Sequence, residues 1–321
     1  MTKIEELWSE ASIHSNNHPI EPNGFRLVRI NPESRFDIYA GLDAESSVML
    51  AIGVLRHPPA IQLDSASLDY FRHQRQDGSW LMVLRLRLPA LMAVFGRLCQ
   101  DLADASAAVE DETALIRLFQ DRLNLWQKLF RRGNDGLLSS FEIKGLLAEL
   151  LILDQIIAAE NRSVSEAVIG WIGPFGADQD FLYLDSAIEV KAIGPTAASV
   201  SISSMRQLDS AVPMQLRLVT LREAATDEND SINLNTQVQR IEAAISSYPD
   251  ALSAFKDRLL EACYVENEYY DKTSFQALKF ESFDVDESFP KITTRMVPEG
   301  IESANYTISL DAIRSLVEMV S

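Results

Sequence analysis

The chain reads as an α/β protein, α+β overall, in two domains. Residues 1–132 read as an antiparallel sheet with helices on one side, and residues 133–321 as a second domain in which helices alternate with short strands. Three observations predict this. From Phe25 the apolar residues alternate in short runs, the period of strands. From Pro89 to Arg131 the spacing becomes helical. Gly133-Asn134-Asp135-Gly136 then breaks the helical pattern, and beyond it helical segments and short apolar strands are mixed.

Taken in order, residues 4–12 read as a short helix followed by a polar segment. Residues 25–30, 36–41 and 47–55 read as strands separated by polar turns. Residues 68–76 and 79–88 flank Asp77-Gly78, which signals a two-residue hairpin. Helices follow at 89–105 and 111–131. Residues 139–159 form a helix of unusual apolarity, capped by Ser139 or Ser140 with Glu142 placed to complete a capping box. Residues 170–177 read as a loop, and 180–184 and 187–193 as strands around a short turn. A short strand at 199–203, a helix or turn at 204–210 and a strand at 214–222 come next. Pro249 separates helices at 235–248 and 250–264. Strands at 275–280 and 305–308 precede a helix from Leu310, and residues 223–231 form an acidic surface loop.

Composition excludes several classes. No run of about 18 uncharged apolar residues occurs, so no membrane span is expected. The opening Met-Thr-Lys-Ile-Glu-Glu-Leu-Trp lacks the basic-then-apolar layout of a signal peptide. Cys99 and Cys263 lie far apart and flank no histidine, which argues against a disulfide framework and against zinc. A reducing cytoplasm is the expected location. The net charge of -18 argues against a general polyanion binder, because such affinity rests on neutralising phosphates.

The chemistry-bearing pattern is Glu189-Val190-Lys191. Acid-x-lysine is a weak signal, and the chain supplies its own control in Glu142-Ile143-Lys144. That copy lies in a helical pattern, where residues i and i+2 do not face each other. Glu189 and Lys191 lie in a strand pattern, where i and i+2 share a face, opposite Ile188, Val190 and Ala192. If the preceding turn centres on Leu184-Asp185, Asp180 falls opposite Glu189. Two carboxylates beside one lysine suit a hard cation such as Mg²⁺ that keeps several waters and binds phosphate. The plainer alternative is a cross-strand Glu189–Lys191 ion pair with a solvated Asp180. Glu149 is the single charge in Gly145-Leu-Leu-Ala-Glu-Leu-Leu-Ile-Leu153, so partial burial near a metal is expected. It could equally pair with an arginine or mark the edge between core and solvent.

Glu149 on a leading helix, Asp180 at a strand start and Glu189-x-Lys191 resemble the PD-(D/E)XK nuclease superfamily. With Gly170-Trp-Ile-Gly-Pro, Gln179-Asp180-Phe181 and Ile202-Ser-Ser-Met-Arg-Gln207-Leu208, the text is similar to a bacterial branch associated with restriction-like defence clusters. The resemblance covers roughly residues 136–222, and it implies a restriction-endonuclease-like mixed sheet. One departure is that Gln179 stands where the motif's proline would precede Asp180, which leaves Asp178 as a rival ligand.

The resemblance implies a Mg²⁺- or Mn²⁺-dependent DNA endonuclease of restriction type. Asp180, Glu189 and the Val190 carbonyl would ligate the metal. Glu149 would hold a water on it, or a second metal. Lys191 would orient or deprotonate the attacking water, and Gln207 would be an accessory polar residue. Gln207 could instead satisfy backbone groups at a helix start.

A non-catalytic assembly subunit of a defence complex, or an RNA or repair nuclease, are the alternatives. Restriction-system partner proteins or a homodimer are compatible with double-strand cutting. An acidic surface could hold the chain off DNA until a partner joins it. The N-terminal domain would serve recognition or assembly. Arg72, His73, Arg75, Arg85 and Arg87 around the hairpin are the better candidates for a nucleic-acid surface, ahead of Lys128, Arg131 and Arg132. Gly170 to Gly176 lacks the Lys-Ser/Thr ending of a phosphate loop.

Overall fold

The computed structural model describes residues 3–63, 65–131 and 137–320. The expected breaking segment 133–136 and Arg132 lie outside the described residues, as do the side chains of Lys128 and Arg131. The chain divides into two compact units, Met1–Leu137 and Leu138–Ser321. Among the described residues no helix is long and apolar enough to cross a membrane, and Cys99 and Cys263 are buried free thiols.

The first unit opens with α1 (Lys3–Asn17), longer than the predicted helix. Five strands follow: β1 (Phe25–Arg29), β2 (Ile38–Asp43), β3 (Val48–Val54), β4 (Leu68–Gln74) and β5 (Trp80–Leu86). They pair antiparallel in the order β1-β2-β3-β5-β4. The helices α2 (Met92–Ala105) and α3 (Glu112–Arg131) complete the unit. Strand parity places Leu50, Ile52, Met82 and Leu84 on one face, all fully buried. Trp8 of α1 donates its indole N–H to the Met49 carbonyl and stacks on Phe95 of α2, while Phe119 of α3 meets Tyr70.

The β4–β5 hairpin differs from the two-residue turn expected of Asp77-Gly78. Arg75 still pairs with Ser79, and the Gly78 N–H bonds the Arg75 carbonyl at 3.1 Å. The loop is therefore the three residues Gln76, Asp77 and Gly78. Gly78 takes φ +84°, the left-handed residue that returns a three-residue loop to the strand.

The second unit carries α4 (Ser140–Ala158) and α5 (Val164–Gly170), then β6 (Phe181–Leu182), β7 (Ala187–Ile193), β8 (Ser199–Ile202) and β9 (Met214–Ala224). Next come α6 (Leu234–Ile245), α7 (Pro249–Glu261), β10 (Ser274–Asp284), β11 (Tyr306–Ser309) and α8 (Leu310–Val320). Its main sheet runs β10-β9-β7-β6, with β7 and β9 parallel and the outer pairs antiparallel, so it is mixed. A β8–β11 ribbon and α8 bury Val200, Ile202, Ile308 and Ile313 against Leu216 and Leu218 of β9.

Three elements depart from the sequence reading. The strand expected at 180–184 shrinks to two residues because the Asp180 carbonyl leaves the ladder and accepts the N–H groups of Ile172 and Gly173. β10 continues to Asp284 through a register shift between Ala277 and Lys279, which reads as a break in the alternation. α5 was not predicted, although Ser163 and Glu166 form its capping box.

The helix that carries Glu149 starts as expected. Ser139 Oγ accepts the Glu142 N–H, and Glu142 returns a bond to the Ser139 N–H. Ser139→Ala should lower stability by about 1 kcal/mol through loss of this cap. Urea unfolding checks this, and an unchanged midpoint would count against a stabilising cap.

Candidate metal and active site

The β6–β7 register pairs Phe181 with Ile188 and Leu182 with Ala187, so its next step sets Asp180 across from Glu189. The Tyr183 N–H to Ser186 carbonyl bond closes the turn at 2.8 Å. Asp180 Oδ2 accepts the Val190 N–H at 2.8 Å, and its carbonyl holds Ile172 and Gly173 at 2.8 and 2.9 Å. The aspartate thus joins β7 to the loop after α5 through three hydrogen bonds.

Glu189 and Lys191 share one face of β7. Lys191 Nζ lies 2.6 Å from Glu189 Oε1, with 18% of the lysine side chain exposed and 1% of the glutamate. Lys191 also donates to Gln207 Oε1 at 3.3 Å, and the same oxygen accepts the Ser203 N–H at 2.7 Å. Gln207 therefore touches the lysine and satisfies a backbone group at once. Glu149, on α4, accepts the indole N–H of Trp171 at 2.7 Å. Asp178 is exposed. Gln179 is buried and donates to the Arg206 carbonyl at 2.7 Å and the Asp209 carbonyl at 3.4 Å, which ties the turn bearing Gln207 to the residue before Asp180.

Burial disfavours charge on all three carboxylates, and Asp180 adds to the shift of both glutamates. Burial raises the pKa of Glu189 to about 8, with Asp180 adding to the shift and Lys191 opposing it. Burial, followed by Asp180, pushes Glu149 well above the carboxylate range, against the Trp171 hydrogen bond. Burial also raises Asp180, against the Val190 N–H and Lys191. Three acids held this way call for cationic compensation beyond one lysine.

Two observations test whether these residues fit a cation. Both oxygens of Glu189 are buried and neither has an aligned hydrogen-bond donor. Lys191, 2.6 Å from Oε1, and the Asp180 N–H offset part of the burial, without a well-aligned hydrogen bond to either oxygen. Gly173 leaves a notch beside the acids: a methyl group built there would lie 2.8 Å from Asp180 Oδ1 and 3.1 Å from Glu149 Oε2. Among the described residues, however, no three His, Cys, Asp or Glu side chains form a ready-made cage. Glu149, Asp180, Glu189 and Lys191 form one electrostatic cluster, but the three carboxylates do not meet as a closed ligand set. An ion that retains waters and takes only one or two carboxylates fits such a set, as Mg²⁺ does.

A family model described as "Putative PD-(D/E)XK family member, (DUF4420)" matches residues 4–311. The chain belongs to this family. The match extends well beyond residues 136–222, where the sequence resemblance was most specific, and includes most of both units. No curated protein and no solved structure matches the chain. In this PD-(D/E)XK chain Gln179, directly before Asp180, is held by its bonds to two carbonyls.

Sequence reading missed the supports of the site. Arg258 of α7 donates to the Trp171 and Ile169 carbonyls, both at 2.8 Å, and its guanidinium lies 5.2 Å from the centre of the Phe175 ring. It pins the loop that brings Trp171 to Glu149 and Gly173 to Asp180. Gly170-Trp-Ile-Gly-Pro was the available signal, together with an arginine among apolar positions of α7.

The hairpin arginines are bonded within their own unit. Arg85 bonds Asp43 and Asp69, Arg87 bonds Asp69, Arg75 pairs with Asp37 at 3.9 Å, and Arg72 donates to the Pro58 carbonyl. Local carboxylates therefore offset the charge that made this hairpin a candidate nucleic-acid surface.

Two outcomes follow from the site. In the unfolded chain Glu189 titrates near the ordinary value of 4.5, whereas in the folded chain it holds its proton up to about pH 8. The folded state binds more protons in that window, so stability in EDTA should fall as pH rises from 5 to 8. Urea midpoints across this range should drop for the native chain and flatten for Glu189→Gln. Equal slopes would show that Glu189 does not govern the effect. Gly173→Ala should fold but weaken Mn²⁺ binding at least tenfold, because its methyl group enters the notch. Calorimetry reads this, and native affinity would show that the notch is not part of the ion site.

Proposed function

We propose that the chain is a Mg²⁺- or Mn²⁺-dependent DNA endonuclease of restriction type, hydrolysing phosphodiester bonds within a cytoplasmic defence system. The observation that carries this reading is the buried Glu189, without an aligned donor, beside Asp180 and Lys191. Asp180 and Glu189 would hold the ion directly. The Val190 carbonyl would be a third ligand. Its N–H reaches Asp180 on the β6 side, while the Ala187 N–H faces Pro213 on the β9 side, as strand alternation requires. In a strand the N–H and C=O of one residue emerge on the same edge, so the Val190 carbonyl points past the end of the β6 ladder.

A divalent ion bound there would supply positive charge to the scissile phosphate and acidify a water. Lys191, steadied by Gln207, would orient that water for attack and stabilise charge gathering on the phosphate oxygens. The attack forms one P–O bond and breaks another, and the departing ester oxygen takes a proton. Glu149, whose pKa is raised, would help hold the surrounding water through its free oxygen.

The net charge of -18 favours a partner that brings DNA to the site, either a protein of the same restriction system or a second copy of the chain. The same charge favours the second reading, a non-catalytic assembly subunit. Residues 1–132 would serve recognition or assembly. With purified protein, plasmid DNA and Mg²⁺ or Mn²⁺, Lys191→Ala should lose at least a thousandfold in cleavage rate while still unfolding cooperatively from a folded state. Cleavage by Lys191→Ala at the native rate would refute the catalytic assignment. Calorimetry showing no ion binding that depends on Asp180 and Glu189 would support the assembly reading.

A further inference from the structure

The opposite face of the β7–β9 pair carries a second polar feature. In the parallel register Glu189 pairs with Leu216 and Val190 with Arg217, so Arg217 points away from the Glu189 face. On that side a cavity of about 400 Å³ lies between the end of α4, the β6–β7 turn, the start of β9 and the end of β10. This is the size of a small-molecule site.

Arg217 distinguishes its wall. The guanidinium is half-buried, and burial pulls its pKa below the ordinary arginine value. Its hydrogen bonds are two long ones to Gln215 Oε1, at 3.4 Å from Nε and 3.3 Å from the terminal nitrogen. Among the described residues no carboxylate is bonded to it. Other arginines differ: Arg85, Arg162, Arg222 and Arg314 each hold a carboxylate. A chain with 47 acidic and 29 basic residues has acids to spare, yet this desolvated cation has none as a partner.

Arg162 forms the facing wall. Its guanidinium lies 4.0 Å from the centre of the Tyr183 ring and is fixed by Asp185 and by Ser186 Oγ at 2.8 Å. Asp284 and Asp286 also line the cavity, but each has an oxygen engaged elsewhere, Asp284 by Gln215 and Asp286 by Ser288 and Phe289. Ile156, Ile188, Met214 and Val285 supply buried apolar surface.

We propose that this cavity binds a small phosphorylated organic molecule, with Arg217 meeting the phosphate and the apolar wall taking the remainder. Arginine's planar fork matches phosphate oxygens, and burial strengthens such a bond. The proposal does not rest on the nuclease reading, because the cavity shares no lining residue with Glu149, Asp180, Glu189 and Lys191.

Calorimetric titration of the full chain tests it, with adenosine 5′-monophosphate, inorganic phosphate and adenosine as probes. EDTA is present so that metal at the acid cluster contributes nothing. The monophosphate should bind saturably and at least tenfold more tightly than adenosine. Arg217→Gln should weaken it at least tenfold, and Arg217→Lys should weaken it less. Gln155→Trp, an exposed change on α4 at the rim, should block the cavity without disturbing the core. Saturable binding of inorganic phosphate that is lost in both Arg217→Gln and Gln155→Trp would support the same site. The proposal is overturned if neither phosphate nor the monophosphate binds, or if adenosine binds as tightly as the monophosphate. Native affinity in both Arg217→Gln and Gln155→Trp would also overturn it.

Discussion

Burial of the Glu189 carboxylate next to Asp180 is the constraint around which the second unit is arranged. A desolvated carboxylate is costly, and a second acid beside it raises the cost. Lys191 returns part of that energy at 2.6 Å. The Val190 N–H steadies Asp180, and Trp171 steadies Glu149. None of these provides Glu189 with an aligned donor. A core built only for stability would place an apolar side chain at this point on β7. The surrounding packing instead holds the acids together: α4 presents Glu149, α7 pins the Trp171 loop through Arg258, and Gln179 ties down the turn of Gln207.

Much of this was legible because strand parity and turn length are local properties. The alternation in 187–193 sets Glu189 and Lys191 on one face, and a turn centred on Leu184-Asp185 sets Asp180 opposite Glu189, as the register has it. The capping box at Ser139 and Glu142 fixes where α4 begins. The missed features depend on long-range partners. The diversion of the Asp180 carbonyl to Ile172 and Gly173 depends on a loop whose path the sequence does not declare. Arg258 acts on carbonyls 87 and 89 residues away. The hairpin arginines looked available because their neighbours in sequence are not their partners. Asp69 reaches Arg85 and Arg87 only once β4 and β5 are in register.

The chain treats its cations in two ways. Around β4 and β5, arginines are held by carboxylates of the same sheet, which offsets their charge locally. At Lys191 a partly desolvated cation is outnumbered by the acids around it, and at Arg217 a half-buried cation has no carboxylate bonded to it among the described residues. In a protein with so many surplus acids, such positions are more specific candidates for external ligands than total charge is.

The two-residue turn between β6 and β7 has a consequence for how this family can vary. Leu184 at its tip is fully exposed and touches little, so by chemistry it is free to change. Its length is not free. One residue added or removed between Leu182 and Ala187, unless absorbed by a different loop type, would shift the pairing by a step, taking Asp180 off its position across from Glu189 and its side chain off the Val190 N–H. Relatives that keep this acid pair should therefore diverge in the letters of the turn more readily than in their number, so that an alignment gap there would point to a different loop type or a changed pairing of the two acids.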